Sequence, residues 1–435
     1  MNESFDHLLQ QIQDRSATVG VIGLGYVGLP VAVSFAEAGF PVIGIDLSRE
    51  KIDQLRKGRS YLRDMDAERV AALVKSKRFR PSTSFARLKD ADAVLMCVPT
   101  PITDGQPDVS NIVGAGGALA RVLKPHTLVI LESTTYPGST EELLLPLLEQ
   151  GGRRAGHDLL VAYSPERIDP GNQIYGFEDI PKIVGGIDDR SSDMAAALYG
   201  QVIPKVVTVS GTREAELAKL IENTFRHVNI ALVNELAVYA HEMDIDIWEA
   251  IEAAATKPFG FIPFWPGPGW GGHCVPLDPS YLSWRVRRDR AHEVRFVEIA
   301  QTVNAEMPRY VAERVSLLLN EQGRSVRGAN ILGIGVAYKA GTSDIREAGA
   351  IKVLNRLAKQ GAEVSYHDPL VPDVQIGGRD LASVPLDRAT LRRQDVVVAL
   401  VPQIDVDWRL VAEAAPLVLD CCNALKTKSE RIRRL

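Results

Sequence analysis

The chain has 435 residues, of which 46% are apolar, and its formal net charge is −5. Its length allows about two or three domains, each able to bury a core. The slightly acidic balance offers no basic surface for nucleic acid, and no run reaches the ~18 apolar residues of a membrane helix. The polar N-terminal stretch lacks the apolar segment of a secretion signal, so a soluble cytoplasmic protein is expected.

Cysteine usage excludes two further classes of protein. The four cysteines are Cys97, Cys274, Cys421 and Cys422. They are too few for a disulfide scaffold, which indicates a reducing compartment. No pair has the C-x-x-C spacing of a structural zinc site, so no metal is expected.

The first motif is a glycine turn between a strand and a helix. The apolar strand at 19–22 runs into G-x-G-x-x-G, and the second strand ends at Asp46. In this order of elements, Gly23 makes the tight turn, Gly25 admits a pyrophosphate and Gly28 packs helix on strand. The helix N-terminus favours phosphate charge. A carboxylate at position 46 binds both ribose hydroxyls and repels a 2′-phosphate, so the sequence predicts NAD rather than NADP.

Further apolar runs continue this first unit. The predicted strands span 91–98, 126–131, 159–162 and 206–209. The first three end in small polar residues. Their continuous apolar sequences predict strands of a buried parallel sheet. Because ligands bind outside the carboxyl ends of such strands, Thr100, Thr135 and Glu166 are expected to line one crevice.

A long helix is predicted next, from Thr212 to about Met243, because apolar residues recur there at helical spacing. Its length, about 45 Å, suits a bridge between domains and a subunit contact. Lys219 and Asn223 are four positions apart and share one face of it. A solvated Lys and Asn is the alternative that composition alone favours. A short helix at 245–256 follows.

The stretch Pro258–Tyr281 is crowded with proline and glycine, so the sequence predicts a rigid irregular loop without helix or strand. Cys274 lies at its centre. Glycines on either side give a substrate close access to this thiol, which favours a nucleophile. A buried inert thiol is the alternative. A long helix at 293–321 is predicted after the loop.

A second α/β unit is predicted towards the C-terminus, without the full glycine fingerprint. Its strands are predicted at 329–333, up to His367, at 395–401 and at 417–420, with a helix at 348–360. Lys339 and Arg346 follow its first strand, where phosphates dock. Ordinary surface cations are the alternative for both.

Seven motifs in this order resemble the UDP-glucose/GDP-mannose dehydrogenase family over nearly the whole chain. They are GLGYVGLP (23–30), CVPTP (97–101), ESTTYPG (132–138), SPERIDPG (164–171), ELAKLIENTF (216–225), PGPGWGGHCVPLDP (266–279) and GVAYKAGTSDIRE (335–347). Within that family, FGFIPFWPGPG at 259–269 resembles most the UDP-N-acetylglucosamine 6-dehydrogenases, which supply surface polysaccharides such as O-antigen.

The resemblance implies an α/β protein with two Rossmann-like doubly wound domains, joined by a central helical domain with a long helix. The implied division is an NAD-binding domain at 1–210, a central dimerisation domain carrying the cysteine loop at 211–322 and a UDP-sugar-binding domain at 323–435. A homodimer or higher homo-oligomer is expected.

The resemblance also implies the chemistry. Cys274 would capture the aldehyde of a half-oxidised sugar and carry it through a thiohemiacetal and a thioester to the uronate. Lys219 and Asn223 would donate to the developing alkoxide. Glu166, with a water held by Thr135 and Asp278, would handle protons.

The same resemblance assigns binding residues. The NAD contacts implied are Gly23, Gly25, Tyr26, Val27, Gly28, Asp46, Lys51, Thr100, Thr135 and Arg346. The substrate contacts implied are Glu166, Arg167, Lys219, Asn223, Phe264, Gly271, Tyr338 and Lys339.

One departure and several alternatives remain at this point. Cys422 stands where the family commonly has an arginine that helps to hold the nucleotide sugar. UDP-glucose or another UDP-N-acetylhexosamine, such as UDP-N-acetylmannosamine, is the alternative substrate. A two-electron hydroxyacid dehydrogenase and a non-catalytic sugar-nucleotide sensor are the alternative functions; the first needs neither a catalytic cysteine nor a second α/β domain.

Overall fold

A computed structural model describes residues 3–62, 65–103, 105–168, 175–272, 274–427 and 429–435. Residues 169–171, the end of the SPERIDPG motif, lie outside this part of the chain. The chain groups into two compact units: residues 1–222 with 287–289, and residues 223–286 with 290–435. The division into three domains stays a prediction. Among the described helices, none has the length and apolar character that crossing a membrane requires.

Among its described residues, the first unit combines ten strands with seven α-helices of its own. Its strands are β1 (Val19–Ile22), β2 (Val42–Ile45), β3 (Phe79–Ser82), β4 (Ala93–Met96), β5 (Ile102–Thr103), β6 (Gln106–Pro107), β7 (Thr127–Leu131), β8 (Leu159–Tyr163), β9 (Lys182–Gly186) and β10 (Val206–Thr208). Its helices are α1 (Glu3–Gln13), α2 (Gly28–Glu37), α3 (Arg49–Arg56), α4 (Ala67–Lys75), α5 (Ser110–Ala120), α6 (Leu145–Glu149) and α7 (Asp189–Tyr199). The next helix, α8 (Thr212–Glu242), has residues in both units.

Eight of these strands form one sheet in the order β10–β9–β8–β7–β4–β1–β2–β3. Every neighbouring pair is parallel except β8 and β9. β1, β2, β4, β7 and β8 are buried along their whole length, as expected for strands covered on both faces.

The register of this sheet aligns the carboxyl ends of five strands. Ile22 pairs with Ile45 and Met96, Met96 with Leu131, and Leu131 with Tyr163. Whatever follows β1, β2, β4, β7 and β8 therefore emerges along one edge of the sheet, the edge at which α/β proteins bind ligands.

In the described part of the chain, the second unit contains the remaining α-helices and a smaller sheet, although residues 287–289, near the end of one of these helices, belong to the first unit. Its helices, after α8, are α9 (Ile247–Ala255), α10 (Cys274–Arg290), α11 (Arg295–Glu321), α12 (Gly349–Lys359), α13 (Arg388–Arg392) and α14 (Trp408–Ala414). Its strands are β11 (Asn330–Ile334), β12 (Glu363–His367), β13 (Asp373–Ile376), β14 (Arg379–Ala382), β15 (Val396–Ala399), β16 (Val418–Asp420) and β17 (Ile432–Arg434).

A parallel sheet in the order β12–β11–β15–β16–β17 forms the core of this second unit. Ile334 pairs with His367 and Ala399, and Ala399 pairs with Asp420. The ends of four strands are thus level again, and the predicted α/β architecture with two Rossmann-like sheets and a helical region is confirmed.

The prediction of an irregular loop up to Tyr281 is wrong, because α10 begins at Cys274. Pro276 lies in the first turn of α10, where a backbone N–H has no partner within the helix. Pro279 lies inside the helix and has no N–H to offer the carbonyl of Val275. His227 Nδ1 lies 3.0 Å from that carbonyl oxygen, so with its proton on Nδ1 it replaces the missing donor.

Candidate active site

The first glycine turn has the geometry that close approach of a phosphate requires. Gly23 has φ +88°, and a Cβ there would lie 2.5 Å from the carbonyl oxygen of Cys97. A Cβ at Gly28 would collide with the carbonyl oxygen of Gly23, whereas one at Gly25 would meet no heavy atom within 4 Å. The turn therefore packs tightly on its inner side and leaves backbone open at Gly25, followed by the exposed Tyr26.

Asp46 fixes this turn and presents a carboxylate beside it. Its Oδ2 accepts from the backbone N–H of Leu24 at 3.0 Å, and its Oδ1 from that of Ser48 at 2.9 Å. Lys51 Nζ lies 3.4 Å from Oδ2. In the second sheet, Asp368 likewise accepts from Val336 N at 2.8 Å. A carboxylate held in this way fits the ribose of a dinucleotide, so the residues present fit NAD.

Polar side chains follow β4, β7 and β8 at the aligned edge of the sheet. Thr100 Oγ1 donates to the carbonyl oxygen of Thr134 at 2.6 Å. Thr135 is fully buried, and its hydroxyl finds no hydrogen-bond partner in the described part of the chain. Glu166 accepts at Oε1 from the N–H of Ile168, while within the same residues its Oε2 accepts no hydrogen bond.

Arg167 is already engaged. Its Nη2 and Nε lie 2.6 and 3.2 Å from the two carboxylate oxygens of Glu222, and its Nη1 donates to the carbonyl oxygen of Pro181. This fork holds residue 167 against α8 within the first unit. Its substrate contact stays a prediction.

The start of α8 is fixed by a buried carboxylate. Glu216 accepts from Ser139 Oγ at 2.8 Å and from N and Oγ1 of Thr140 at 2.9 and 2.7 Å. Burial raises the pKa of Glu216, against these hydrogen bonds. Lys219 lies almost one turn further along α8. It is only 7% exposed, so packing against its neighbours restricts its side chain.

Asn223, one turn beyond Lys219, is 4% exposed. The alternative of a solvated Lys and Asn is therefore wrong. In the second unit, Asn223 Nδ2 donates to Asp278 Oδ2 at 2.5 Å. The ring of His227 stacks on Trp270, with centroids 4.4 Å apart, and burial lowers the pKa of His227.

Cys274 is the exposed first residue of α10, and all four cysteines are thiols. The alternative of a buried inert thiol is therefore wrong for Cys274. Its helix is held to α8 through Asp278 and the Val275 carbonyl. The dipole of a helix favours a thiolate at its N-terminus. An accessible sulfur on an anchored turn has the properties of a nucleophile.

The glycines before Cys274 are needed for contact with Tyr338. A Cβ at Gly271 would lie 2.6 Å from the Cβ of Tyr338, and one at Gly272 would lie 2.9 Å from its ring. The backbone N–H of Gly272 also donates to the carbonyl oxygen of Arg346 at 2.8 Å. These contacts tie the cysteine loop to the turn after β11 within the second unit.

A cavity of about 460 Å³ opens at the aligned strand ends of the second sheet. Tyr338 and Lys339 after β11, Leu400 after β15 and Asn423 after β16 line it. Trp248 and Trp265, stacked with centroids 5.6 Å apart, form another wall. Together these groups supply a cation, aromatic faces and polar backbone, which suit a nucleotide.

Cys422 also lines this cavity, at the position noted as a departure from the family. Its thiol lies 3.6 Å from the carbonyl oxygen of Ala399 and from Asp420 Oδ1. Burial raises its pKa well above the ordinary value, so the side chain is a neutral thiol. The neighbouring Asn423 Oδ1 is buried and hydrogen-bonds nothing in the described residues, and Lys426 adds a cation to the lining.

Two predicted ligand contacts lie elsewhere in the second unit. Phe264 lines a different cavity and packs edge-on against Phe225, with ring centroids 5.6 Å apart. Arg346 Nη2 lies 2.6 Å from Asp344 Oδ2, and its Nε lies 3.0 Å from both oxygens of that carboxylate. Contacts of Phe264 with substrate and of Arg346 with NAD stay predictions.

Sequence reasoning missed a buried group behind Glu166. Lys182 Nζ lies 2.8 Å from Glu132 Oε2, whose other oxygen accepts from the hydroxyl of Tyr199 at 2.6 Å. Glu132 is the first residue of the ESTTYPG motif. Lys182, in contrast, lies in β9, a strand that the sequence analysis did not predict. A charged residue inside the otherwise apolar run KIVGG was the available signal.

Comparisons with known proteins agree along most of the chain. Three models of the UDP-glucose/GDP-mannose dehydrogenase family match: the NAD binding domain at 17–203, the central domain at 213–306 and the UDP binding domain at 332–427. A UDP-N-acetyl-D-glucosamine 6-dehydrogenase of Pseudomonas aeruginosa is 35% identical over 82% of this chain and 84% of its own.

Two further relatives carry different sugar names. An NDP-N-acetyl-D-galactosaminuronic acid dehydrogenase of Ralstonia nicotianae is 34% identical over 88% of this chain and 90% of its own. The solved structure of a UDP-D-ManNAc dehydrogenase from Pyrococcus horikoshii superimposes with a TM-score of 0.87 at 31% identity, covering 96% of this chain and 98% of that one.

Replacing Asp46 tests the cofactor site. Asp46→Asn keeps an oxygen for one backbone N–H and removes the charge. We expect kcat/KM with NAD to fall about 10- to 100-fold, the equivalent of the ~1.5–3 kcal/mol of hydrogen bonds to a charged group. The ratio of NAD to NADP efficiency is expected to fall too, because repulsion of the 2′-phosphate is lost.

The control is Asp53→Asn on α3, an exposed carboxylate paired with Arg56, which should leave both cofactors unchanged. Steady-state rates with each cofactor measure the ratio. An unchanged NAD/NADP ratio in Asp46→Asn would contradict the assignment.

Proposed function

The chain belongs to the UDP-glucose/GDP-mannose dehydrogenase family and is an NAD-dependent UDP-sugar dehydrogenase; from this premise we propose that it oxidises the C6 alcohol of UDP-N-acetylglucosamine to a carboxylate. The observation that carries the proposal is Cys274, exposed on a turn that α8 anchors through Asn223 and His227. A two-electron hydroxyacid dehydrogenase needs no such residue, and a sensor needs no nucleophile.

The two binding sites follow from the glycine turn and the cavity. Gly23, Gly25, Gly28 and Asp46 would hold NAD, which accepts a hydride at each oxidation. The cavity lined by Lys339 would hold the UDP moiety, since a cation and aromatic faces complement phosphate and uracil.

The chain's own groups would carry the sugar through the reaction. Lys219 and Asn223 donate to the oxygen at C6 as its proton leaves, and Glu166 takes the proton. Loss of the C6 hydride, for which NAD would be the acceptor, leaves an aldehyde. The Cys274 thiolate would add to its carbon, forming a C–S bond and, with a proton on the oxygen, a thiohemiacetal. Loss of a second hydride and of that proton would give a thioester, and water would cleave its C–S bond to release the carboxylate and the thiol. Each turnover thus removes four electrons.

The sugar is proposed from the approach to the cysteine. The run FGFIPFWPGPG resembles the UDP-N-acetylglucosamine enzymes. Relatives named for N-acetylglucosamine and for N-acetylgalactosamine are almost equally similar to this chain. Both of these sugars carry a 2-acetamido group. The product would be a uronate for a surface polysaccharide such as O-antigen. UDP-N-acetylmannosamine is the second candidate, because the superimposed Pyrococcus horikoshii structure is named for it.

A homodimer is proposed from an apolar groove in the second unit, called here the α8–α9 groove. Its cavity of about 510 Å³ is lined by apolar side chains of α8, α9 and the loop before Cys274. Leu232, Leu236, Phe261 and Ile262 in this lining are exposed. Exposed apolar patches of this kind mark interaction surfaces, and the long α8 offers a self-complementary contact to a second copy.

Removing the thiol tests the covalent pathway. Cys274→Ala is expected to lower the rate of uronate formation by about 10³-fold or more, since the aldehyde has no nucleophile. NADH absorbance and uronate are measured together. Cys421→Ala, in the core of the second sheet, is the matched control and should retain about two NADH per sugar. Full conversion by Cys274→Ala would exclude the covalent route.

A panel of UDP-sugars tests the substrate. We expect the highest kcat/KM with UDP-N-acetylglucosamine, with UDP-glucose at least about 10-fold poorer because one acetamido contact is lost. UDP-N-acetylgalactosamine and UDP-N-acetylmannosamine test the configurations at C4 and C2. A clear preference for either would replace the proposed sugar and leave the proposed chemistry intact.

Sedimentation tests the dimer. The unmodified chain is expected to sediment as a dimer, and Leu236→Glu in the α8–α9 groove is expected to shift it to monomer, because a buried unpaired charge costs several kcal/mol. Glu249→Gln, on the first turn of α9, is the control. A wild-type monomer at micromolar concentration would contradict the proposal.

A further inference from the structure

A buried lysine lies between two carboxylates at the aligned edge of the first sheet. Lys182 Nζ is 2.8 Å from Glu132 Oε2 and 3.7 Å from Glu166 Oε2. The three residues are 3%, 1% and 7% exposed. Glu132 directly follows β7, Glu166 follows β8 and Lys182 begins β9, so three neighbouring strands bring these charges together.

The surroundings of Lys182 leave it few other partners. Its Nζ lies 4.9 Å from the ring centroid of Tyr199 and 5.5 Å from that of Phe177. The Tyr199 hydroxyl donates to Glu132. Among the described residues, the buried thiol of Cys97 also faces the cluster. The guanidinium of Arg167, next to Glu166 in the chain, is paired with Glu222 instead.

The charges of Lys182 and Glu132 act on the carboxylate of Glu166. Burial alone would lower the pKa of Lys182, but the charges of Glu132 and Glu166 outweigh burial and raise it. The ammonium is therefore present throughout the neutral range. An opposite charge at this distance favours the ionised form of a carboxylate, whereas a second carboxylate nearby disfavours it. Lys182 and Glu132 thus act on Glu166 in opposite directions.

We propose that Lys182 is a positioning residue whose charge orients Glu166 to take the substrate's proton, and that Glu132 competes with Glu166 for this charge. The inference rests on the proposed role of Glu166 as a base. The Glu166 Oε1 oxygen is fixed by the backbone N–H of Ile168. Its Oε2 lies 3.7 Å from Lys182 Nζ, which is too far for a hydrogen bond. The oxygen is therefore attracted electrostatically to the ammonium but stays available as a hydrogen-bond acceptor.

A lysine that served only to stabilise the fold would give a different result. Substitutions in a structural ion pair lower stability and total activity, but they leave the pH dependence of catalysis where it was. The pH profile of kcat/KM reports the ionisation of essential groups in the free enzyme, so it separates the two roles.

The experiment compares two substitutions whose effects should have opposite sign. Lys182→Met removes the positive charge that faces Glu166, so the acid limb of the profile moves to higher pH. Glu132→Gln removes a competing carboxylate, so the acid limb moves to lower pH. Each shift is expected to be about one pH unit or more, the size that a close charge produces.

Two further variants make the test decisive. Lys182→Arg keeps the charge and should return the limb close to its original position. Lys124→Met breaks a more exposed ion pair, Lys124 Nζ to Asp92 Oδ1 at 2.6 Å, at the opposite end of β7, and should leave the acid limb in place. Thermal melts identify variants that do not fold. If Lys182→Met does not fold, the direction of the Glu132→Gln shift still decides.

Glu166→Gln separates failure of this inference from failure of the proposed function. If Glu166→Gln keeps both the rate and the acid limb, the proposed base is wrong. If it removes the acid limb while Lys182→Met and Glu132→Gln leave the limb in place, or move it in the same direction, then the inference about Lys182 is overturned and the base assignment stands.

Discussion

The structure depends on one constraint: parallel strands in register end level with one another. In the first sheet, Ile22, Ile45, Met96, Leu131 and Tyr163 form one row. The glycine turn, Asp46, Thr135 and Glu166 are each only a few residues beyond that row. No single segment encodes the site. Five short strands deliver its parts to one edge, and the glycines let the backbone bend there without collision.

The same constraint explains the buried charges. Glu132 and Glu166 emerge from adjacent strands and are both buried, so their carboxylates share a region of low solvent exposure. Two carboxylates in that position are unfavourable unless a cation compensates them. Lys182 on the antiparallel β9 supplies the cation. The proposed chemistry at Glu166 and the stability of the strand ends would thus be linked through one ammonium group.

Helix α8 contributes buried hydrogen bonds within each of the two units. Within the first unit its Glu216 accepts from Ser139 and Thr140. Within the second unit its Asn223 and His227 hold the first turns of α10. The proline that weakens α10 after Cys274 is thus matched by a donor from α8. A helix with a missing hydrogen bond can be accurately placed when another element satisfies its carbonyl.

Much of this could be predicted from sequence, because local patterns carry it. The glycine fingerprint, Asp46 and the apolar strand runs each follow from a period or a turn. Three features could not. α10 was missed because Pro276 and Pro279 indicate loop locally, and only His227, about 50 residues away in the chain, makes the helix possible. The burial of Lys219 and Asn223 depends on packing. Lys182 meets Glu132 only through the antiparallel β9, a pairing that no local pattern specifies.

In the proposed mechanism, the sugar stays bound to the sulfur of Cys274 between its two oxidations. The most direct measurement is mass spectrometry of the protein after acid quenching during turnover with UDP-N-acetylglucosamine and NAD, followed by digestion and location of any adduct. We expect a transient mass gain equal to the UDP-sugar acyl group, confined to the peptide that contains Cys274. Uronate accumulating at the full rate with that peptide unmodified at every quench time, or an adduct on another residue, would contradict it.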